Sequence, residues 1–403
     1  MGKQTTVAIV GDGNAAHVLI PFLGGTQHTV NLLSLSPHKW DRTVRCEVQN
    51  MKHEVLKEFH GDINALSDDY KDVIPDADIV FLCMPVHQYR NALKKLAPFI
   101  NRSKKEVFIG TIYGQAGFNW MVHEIEKEYK LDNIVAFSIG LIPWICRAEV
   151  YGEYGINYGG KKVNIAAVSP PDRFDHLNEI FLKDISETQL GYGKFVQACS
   201  FISLTLSVDN QIIHPSRMYG LWGRYGGKWK TYEDVPFFYK DFDDLSADCL
   251  KRLDADYSTV RNAICKHFPD RPFKYMLDYL ALERLVYQSG SADIKSSFTD
   301  SETLGKIKTP VRHLEDGTYQ IDKFCRFFTD DIPYGLLITK WIAEQLGEKV
   351  PFIDEIINWC QDLRNERFLT ADNKIDLKAC LAKDHTTGIP PSYGVSSVED
   401  ILD

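Results

Sequence analysis

The chain lacks most of what would direct it to a membrane, to nucleic acid or to an oxidising compartment. None of its apolar runs is long enough to span a bilayer. No basic segment with an apolar core precedes the first strand-like stretch, so no secretory leader is expected. Basic residues are outnumbered, 46 Lys and Arg against 55 Asp and Glu, and the formal net charge of -9 argues against nucleic acid or an anionic membrane as partner. The nine cysteines contain no Cys-x-x-Cys pair, and an odd number does not suit a disulfide framework, which predicts a cytoplasmic protein with reduced thiols. There is no His-x-x-x-His pair with a third ligand, so no metal is expected, and neither a Gly-x-Ser-x-Gly elbow nor a Walker A sequence occurs. Repeats and low-complexity tracts are absent too.

What remains is an ordinary globular composition, 44% hydrophobic and 25% charged, in a chain of 403 residues. That length exceeds one comfortable core and predicts two domains. The most informative segment is Val7-Ala8-Ile9-Val10-Gly11-Asp12-Gly13-Asn14-Ala15-Ala16-His17. It reads as a buried strand, a Gly-x-Gly-x-x-Ala turn and the start of a helix, the order a dinucleotide pyrophosphate site requires. Gly11 permits the tight turn, Gly13 lets backbone approach phosphate, and Ala16 lets the helix pack on its strand. Asn14 and Ala15 complete a helix N-terminus suited to an anion. Apolar runs at Asn31–Leu35 and Asp78–Pro85 follow at βαβ spacing, which brings Ser34 and Pro85 to the nucleotide as well. The Asp or Glu expected at the end of the second strand for NAD is missing: Ser34, Leu35 and Ser36 stand there, with His38, Lys39 and Arg42 close behind. NADP therefore stays open beside NAD.

The first part continues as alternating strands and helices, with strands at 106–110 and 133–138, a helix over 87–100 and further strands within 151–168. A helix is expected over 173–182. From about residue 196 helical spacing takes over, at 244–268, 273–288, 333–346 and 353–363. The expected fold is α/β, with an N-terminal Rossmann-type doubly wound parallel sheet over 1–195 and a mainly α-helical C-terminal domain over 196–403. The tail from Thr387 to Gly394 reads as a surface loop.

A nucleotide domain followed by a helical one suggests a dehydrogenase that holds its substrate between them and needs a proton-transfer group, a partner to orient it and a carboxylate anchor. Two segments offer these. Ile212-Ile213-His214-Pro215 sets one His in an apolar context, where a packed His is the commoner explanation. Cys325-Arg326-Phe327-Phe328-Thr329-Asp330-Asp331-Ile332-Pro333 puts Arg and paired acids before another Pro. A helix start capped by Thr329 or Asp330, with Arg326 in a surface ion pair, explains it equally well.

Taken in order, Gly11 to His17, Gln115-Ala116-Gly117-Phe118, Pro143-Trp144-Ile145-Cys146-Arg147, His214-Pro215, Trp222-Gly223 and Arg326 to Pro333 make the chain resemble the opine dehydrogenases over nearly its full length, especially the invertebrate octopine, tauropine and alanopine group. The resemblance implies an NADH-dependent condensation of pyruvate with an amino acid, through an imine, that regenerates NAD+ for anaerobic glycolysis. It implies His214 as catalytic base, Asp331 as its acidic partner, Arg326 as carboxylate anchor, Gln115 as a pyruvate-side contact and a monomeric protein. Where relatives that accept arginine carry an acid followed by Thr, this chain has Gly140-Leu141, which favours a small donor: taurine first, else alanine, glycine or β-alanine. Cys146 is expected as a packed thiol at the substrate site. Arg217, three residues past His214, is either an anchor for a sulfonate or a solvated side chain. Two other readings stay open: an NAD(P)-dependent 2-keto or 2-hydroxy acid dehydrogenase without amine condensation, and a non-catalytic NAD(H) sensor.

Overall fold

The computed structural model describes residues 5–50, 52–299, 305, 307–382 and 387–402. The strands, in chain order, are β1 (Thr5–Val10), β2 (His28–Leu33), β3 (Thr43–Gln49), β4 (Val55–Asp62), β5 (Ala65–Ser67), β6 (Ile79–Leu82), β7 (Val107–Thr111) and β8 (Ile134–Ile139). After them come β9 (Trp144–Val150), β10 (Tyr154–Gly160), β11 (Val163–Ser169) and β12 (Lys194–Gln197). Eight form one sheet in the order β12-β11-β8-β7-β6-β1-β2-β5. All neighbours in it run parallel except β11 against β8. Its central strands are unbroken apolar runs, such as Val7–Val10 and Ile79–Leu82, because both faces are covered. This is the expected Rossmann-type sheet.

A second, small sheet of four strands, β4-β3-β10-β9, was not expected. Helix α1 (Ala16–Gly24) packs on both sheets and is buried from Ala16 to Leu23, so it has no polar face. Its contact with β4 is backbone on backbone: a Cβ on Gly24 would lie 2.3 Å from the Cα of Gly61, and one on Gly61 would lie 2.1 Å from the carbonyl oxygen of Ile20. Glycine is needed at both positions for this approach. Helices α2 (Tyr89–Leu96) and α3 (Phe118–Tyr129) pack against each other. The helix expected over 173–182 is the α-helical run Phe174–Ile180 between short 3-10 turns.

The chain divides into two compact units. The first runs to Thr205 and takes in Phe273–Tyr275; the second comprises Leu206–Pro272 and Met276–Ile401. The break falls after Thr205 rather than after residue 195, because β12 joins the large sheet and the helix Phe201–Thr205 packs on β11. The second unit is helical: α4 (Asn210–Tyr225), α5 (Asp244–His267), α6 (Tyr279–Tyr287), the short α7 (Arg326–Thr329), α8 (Leu337–Gln345) and α9 (Pro351–Arg364). A three-stranded antiparallel ribbon of β13 (Lys228–Trp229), β14 (Val311–His313) and β15 (Tyr319–Ile321) accompanies them. Helix α6 begins later than the sequence suggested, at an N-cap where Asp278 accepts from the amide of Ala281. The tail expected as a surface loop is instead buried from Thr387 to Pro390, where apolar Ile389 packs inside, and Pro390–Tyr393 forms a 3-10 turn. Among the described residues no helix is long and apolar enough to cross a membrane, and all nine cysteines are free thiols.

Candidate active site

In the first unit the Gly-x-Gly-x-x-Ala segment forms the strand–turn–helix it predicts. Gly11 sits at φ +116°, and a Cβ there would be 2.5 Å from the carbonyl oxygen of Cys83 at the end of β6. A Cβ on Gly13 would meet nothing within 4 Å, which leaves the outer side of the turn open. That open cradle at the start of α1 suits a pyrophosphate. Gly13 and Asn14 are exposed, Ala15 is half-buried and Ala16 buried. Pro85 is exposed just past β6, and Ser34 is buried at the end of β2.

The small sheet grips this turn. Asn14 Oδ1 accepts from the amide of Ala148, and Tyr151 Oη donates to Asp12. His17 Nε2 accepts from the amide of Gly152 at 2.7 Å. Since Nε2 accepts, the ring proton is on Nδ1, which donates to the carbonyl of Gly13 at 2.9 Å. Burial pushes the His17 imidazole below its ordinary pKa, so it stays neutral.

The substrate-side residues expected in this unit are Gln115, Leu141 and Cys146. Gln115 is fully buried and its Oε1 accepts from Tyr113 Oη at 2.8 Å. Leu141 is buried between β8 and β9. Burial pushes the Cys146 thiol up to about 12, opposed by Arg147 and Lys161, so it is no nucleophile at neutral pH.

In the second unit the structure brings His214 and Asp331 into contact. Each sits in helical backbone beside a proline. His214 precedes Pro215 within α4, where the ring removes one backbone donor. Asp331 lies between α7 and a π-helical turn, Ile332–Leu336, which holds Pro333. Pro333 cannot donate to the α ladder, and the amide of Leu336 reaches back five residues to the carbonyl of Asp331. His214 Nδ1 lies 2.7 Å from Asp331 Oδ2, and both residues are buried. The His214 ring stacks on Phe327 at 3.7 Å between centroids. Burial, then the nearby Arg326 guanidinium, hold its pKa well below the ordinary value. Burial pushes the Asp331 carboxyl the other way, with Arg326 opposing. The imidazole is therefore neutral, and with its proton on Nδ1, the nitrogen facing Asp331, the Nε2 lone pair serves as a base.

Arg326 opens α7 and is exposed. Among the described residues its guanidinium makes no hydrogen bond or ion pair; its nearest ring is Phe327 at 5.7 Å. The surface ion pair that would have made it unremarkable is therefore missing, and its donors are free for a carboxylate. The cap expected from Thr329 or Asp330 is not there either, since the N-cap is Cys325 and makes no side-chain bond.

Arg217 overturns both expectations held for it. It is fully buried, so it is not solvated, and its donors are taken, so it is no sulfonate anchor. Nε donates to the carbonyl of Phe238, one terminal nitrogen to Ser246 Oγ, and the other to the carbonyls of Phe237 and Asp241. Asp243 lies 3.5 Å away as its counter-charge. Arg217 thus staples the loop 237–246 to α4. That loop carries Tyr239, which the sequence reading missed: its hydroxyl lies 3.3 Å from His214 Nε2. Burial pushes the phenol pKa up, so Tyr239 keeps its proton and donates to Nε2. The aromatic-rich run Phe237-Phe238-Tyr239 has no spacing that marks it as part of a site.

Residues 197–364 match the family model described as NAD/NADP octopine/nopaline dehydrogenase, alpha-helical domain. An opine dehydrogenase from Haliotis discus hannai is 25% identical over 429 residues, covering 100% of this chain and 99% of that protein. An octopine dehydrogenase from Pecten maximus is 24% identical, over 98% of each. The solved structure of octopine dehydrogenase with NADH and L-arginine superposes with a TM-score of 0.81 at 23% identity, covering 99% of this chain and 98% of that one.

Proposed function

We propose, from the premise that this chain belongs to the opine dehydrogenase family, that it joins pyruvate to a small amino acid and reduces the product with NADH. The observation that carries the proposal is the buried His214–Asp331 pair beside an exposed, unpaired Arg326.

The chemistry follows from the donors and acceptors. An amino acid arrives as an ammonium ion and cannot attack until it loses a proton. His214 Nε2 takes that proton, and Asp331 balances the imidazolium that results. Arg326 holds the pyruvate carboxylate through its planar fork. The amine nitrogen attacks the keto carbon, and the imidazolium returns its proton to the departing hydroxyl, which leaves as water. NADH, when bound at the glycine turn, would supply the hydride that converts the protonated imine left by loss of water to a secondary amine. The net result is reoxidation of NADH. Tyr239, donating to Nε2 before substrate arrives, keeps the lone pair aligned.

Gly140-Leu141 offers no carboxylate to a cationic side chain, so the donor is small and uncharged in its side chain. With Arg217 committed to its loop, nothing singles out a sulfonate; taurine stands with alanine, glycine and β-alanine. The test gives the purified protein pyruvate and NADH with each of these, and with arginine, and follows NADH oxidation. Turnover that requires a small amine is expected. Equal turnover without any amine overturns condensation in favour of a keto-acid reductase. NADH binding with no turnover under any donor overturns the enzyme reading.

A further inference from the structure

The end of β2 lacks the acid that recognises the ribose of NAD, yet a carboxylate reaches that place from elsewhere. Asp12, the second residue of the glycine turn, accepts with Oδ2 from three donors: Ser34 Oγ at 2.7 Å, the amide of Leu35 at 3.1 Å and Tyr151 Oη at 2.8 Å. Two of these belong to the chain leaving β2. Ser34 is itself oriented, since its Oγ accepts from the amide of Ser36 at 3.0 Å and its proton goes to Asp12. Among the described residues Asp12 Oδ1 has no partner, and the residue is half-buried at the mouth of the open turn. Next to it Leu35 is 86% exposed, an apolar side chain left on the surface. Of the three basic residues that follow β2, Arg42 donates to the carbonyls of Ile63 and Asn64, while His38 and Lys39 are exposed.

We propose that Asp12 makes this chain select NAD(H) over NADP(H), its free carboxylate oxygen accepting from the adenosine ribose hydroxyls in place of an acid on β2. This rests on the nucleotide reading of the glycine turn. A ribose 2′-hydroxyl is a donor that a carboxylate satisfies, whereas a 2′-phosphate brings negative charge against it. Three donors to Oδ2 keep the carboxylate from swinging aside, so the phosphate would meet it in place.

The test is fluorescence titration of the full chain with NADH and with NADPH, for the wild type, Asp12→Asn and Asp12→Ser. The wild type is expected to bind NADH more tightly by on the order of tenfold or more, and Asp12→Asn to shift the ratio toward NADPH by about as much. The ratio is the readout, because damage to the turn itself weakens both cofactors together. Asp12→Ser, which keeps a small acceptor without charge, should move the ratio in the same direction. Wild-type protein that binds both equally, or variants with an unchanged ratio, would overturn the role of Asp12 while leaving the nucleotide site standing. Binding of neither cofactor overturns the nucleotide reading and this inference with it.

Discussion

Exchanging Asp331 for Asn alters charge and hydrogen bonding at the dyad with almost no change of shape. The bond concerned joins His214 Nδ1 to Asp331 Oδ2 at 2.7 Å, in surroundings that leave His214 1% and Asp331 6% exposed. A hydrogen bond to a charged acceptor contributes about 1.5–3 kcal/mol. Balancing an imidazolium with a carboxylate at this range contributes about 4 kcal/mol at an effective dielectric near 20. The two overlap, so a loss of about 3–4 kcal/mol is expected, or ~10²–10³-fold in kcat. The Asn amide can also donate to Nδ1, which moves the ring proton to Nε2 and removes the base. Steady-state NADH oxidation with pyruvate and an amino donor measures kcat, and fluorescence titration measures the NADH Kd. The first should fall and the second stay unchanged. The pH profile adds a signature that a merely structural change would not give. Without the carboxylate the imidazolium is harder to form, so the acid limb of kcat/KM should move to lower pH. Near-normal turnover, or a limb displaced to higher pH, would refute the dyad.

Arg326→Ala should raise the KM for pyruvate much more than that for the amino donor, with thermal stability unchanged since the side chain is exposed and unpaired; an unaltered pyruvate KM would remove its role. Arg217→Met should cost about 3–5 kcal/mol of stability in urea unfolding, because Ser246 and three loop carbonyls lose their donor while Asp243 keeps only Arg224 as counter-charge. A stable variant whose only defect was a raised KM for one amino donor would restore the substrate-binding role. Stability should fall with acid. His17 and His214 are both held neutral when folded, their pKa values lowered by burial. The unfolded chain takes up their protons near the ordinary value, about 6.5, so below it the unfolded state binds more protons and the folded state loses ground. Each contributes up to about 1.4 kcal/mol per pH unit between that value and its own folded pKa. Melting temperatures measured downward from neutral pH should therefore drop, with a shallower slope in His17→Gln; an identical slope would count against a neutral, buried His17.

The parts of this protein that could be read from sequence are those in which one local rule settles the outcome. Unbroken apolar runs announced β1 and β6 because strands covered on both faces need no polar side. The glycine turn was visible because Gly11 must adopt a conformation other residues avoid. His214, Asp331 and Arg326 stood out as polar groups in apolar segments next to prolines, but the residues alone fitted an ordinary packed His and helix start, and only the family resemblance gave them roles. The small sheet escaped because β4 is exposed along most of its length and so carries no apolar face, although Val44, Cys46 and Val48 in β3 do alternate. Tyr239 and Arg217 escaped for another reason. Their roles depend on a loop folding back onto α4, and no spacing within either segment records that. Asp12 lay in plain view in a position whose residue type the turn does not constrain, so only its hydrogen bonds give it a task.

The hold of the small sheet on the glycine turn sets a condition on the order of events as the chain is made. Residues 11–17 leave the ribosome early, yet the bonds that brace them come from Ala148, Tyr151 and Gly152. Until that later segment has emerged and joined the sheet through β10, which pairs with β3, the nascent turn is an unfinished loop. Fragments that stop short of Gly160 should therefore fail to retain nucleotide, and a ribosome-bound chain should acquire that ability abruptly once β9, the turn after it and β10 clear the exit tunnel.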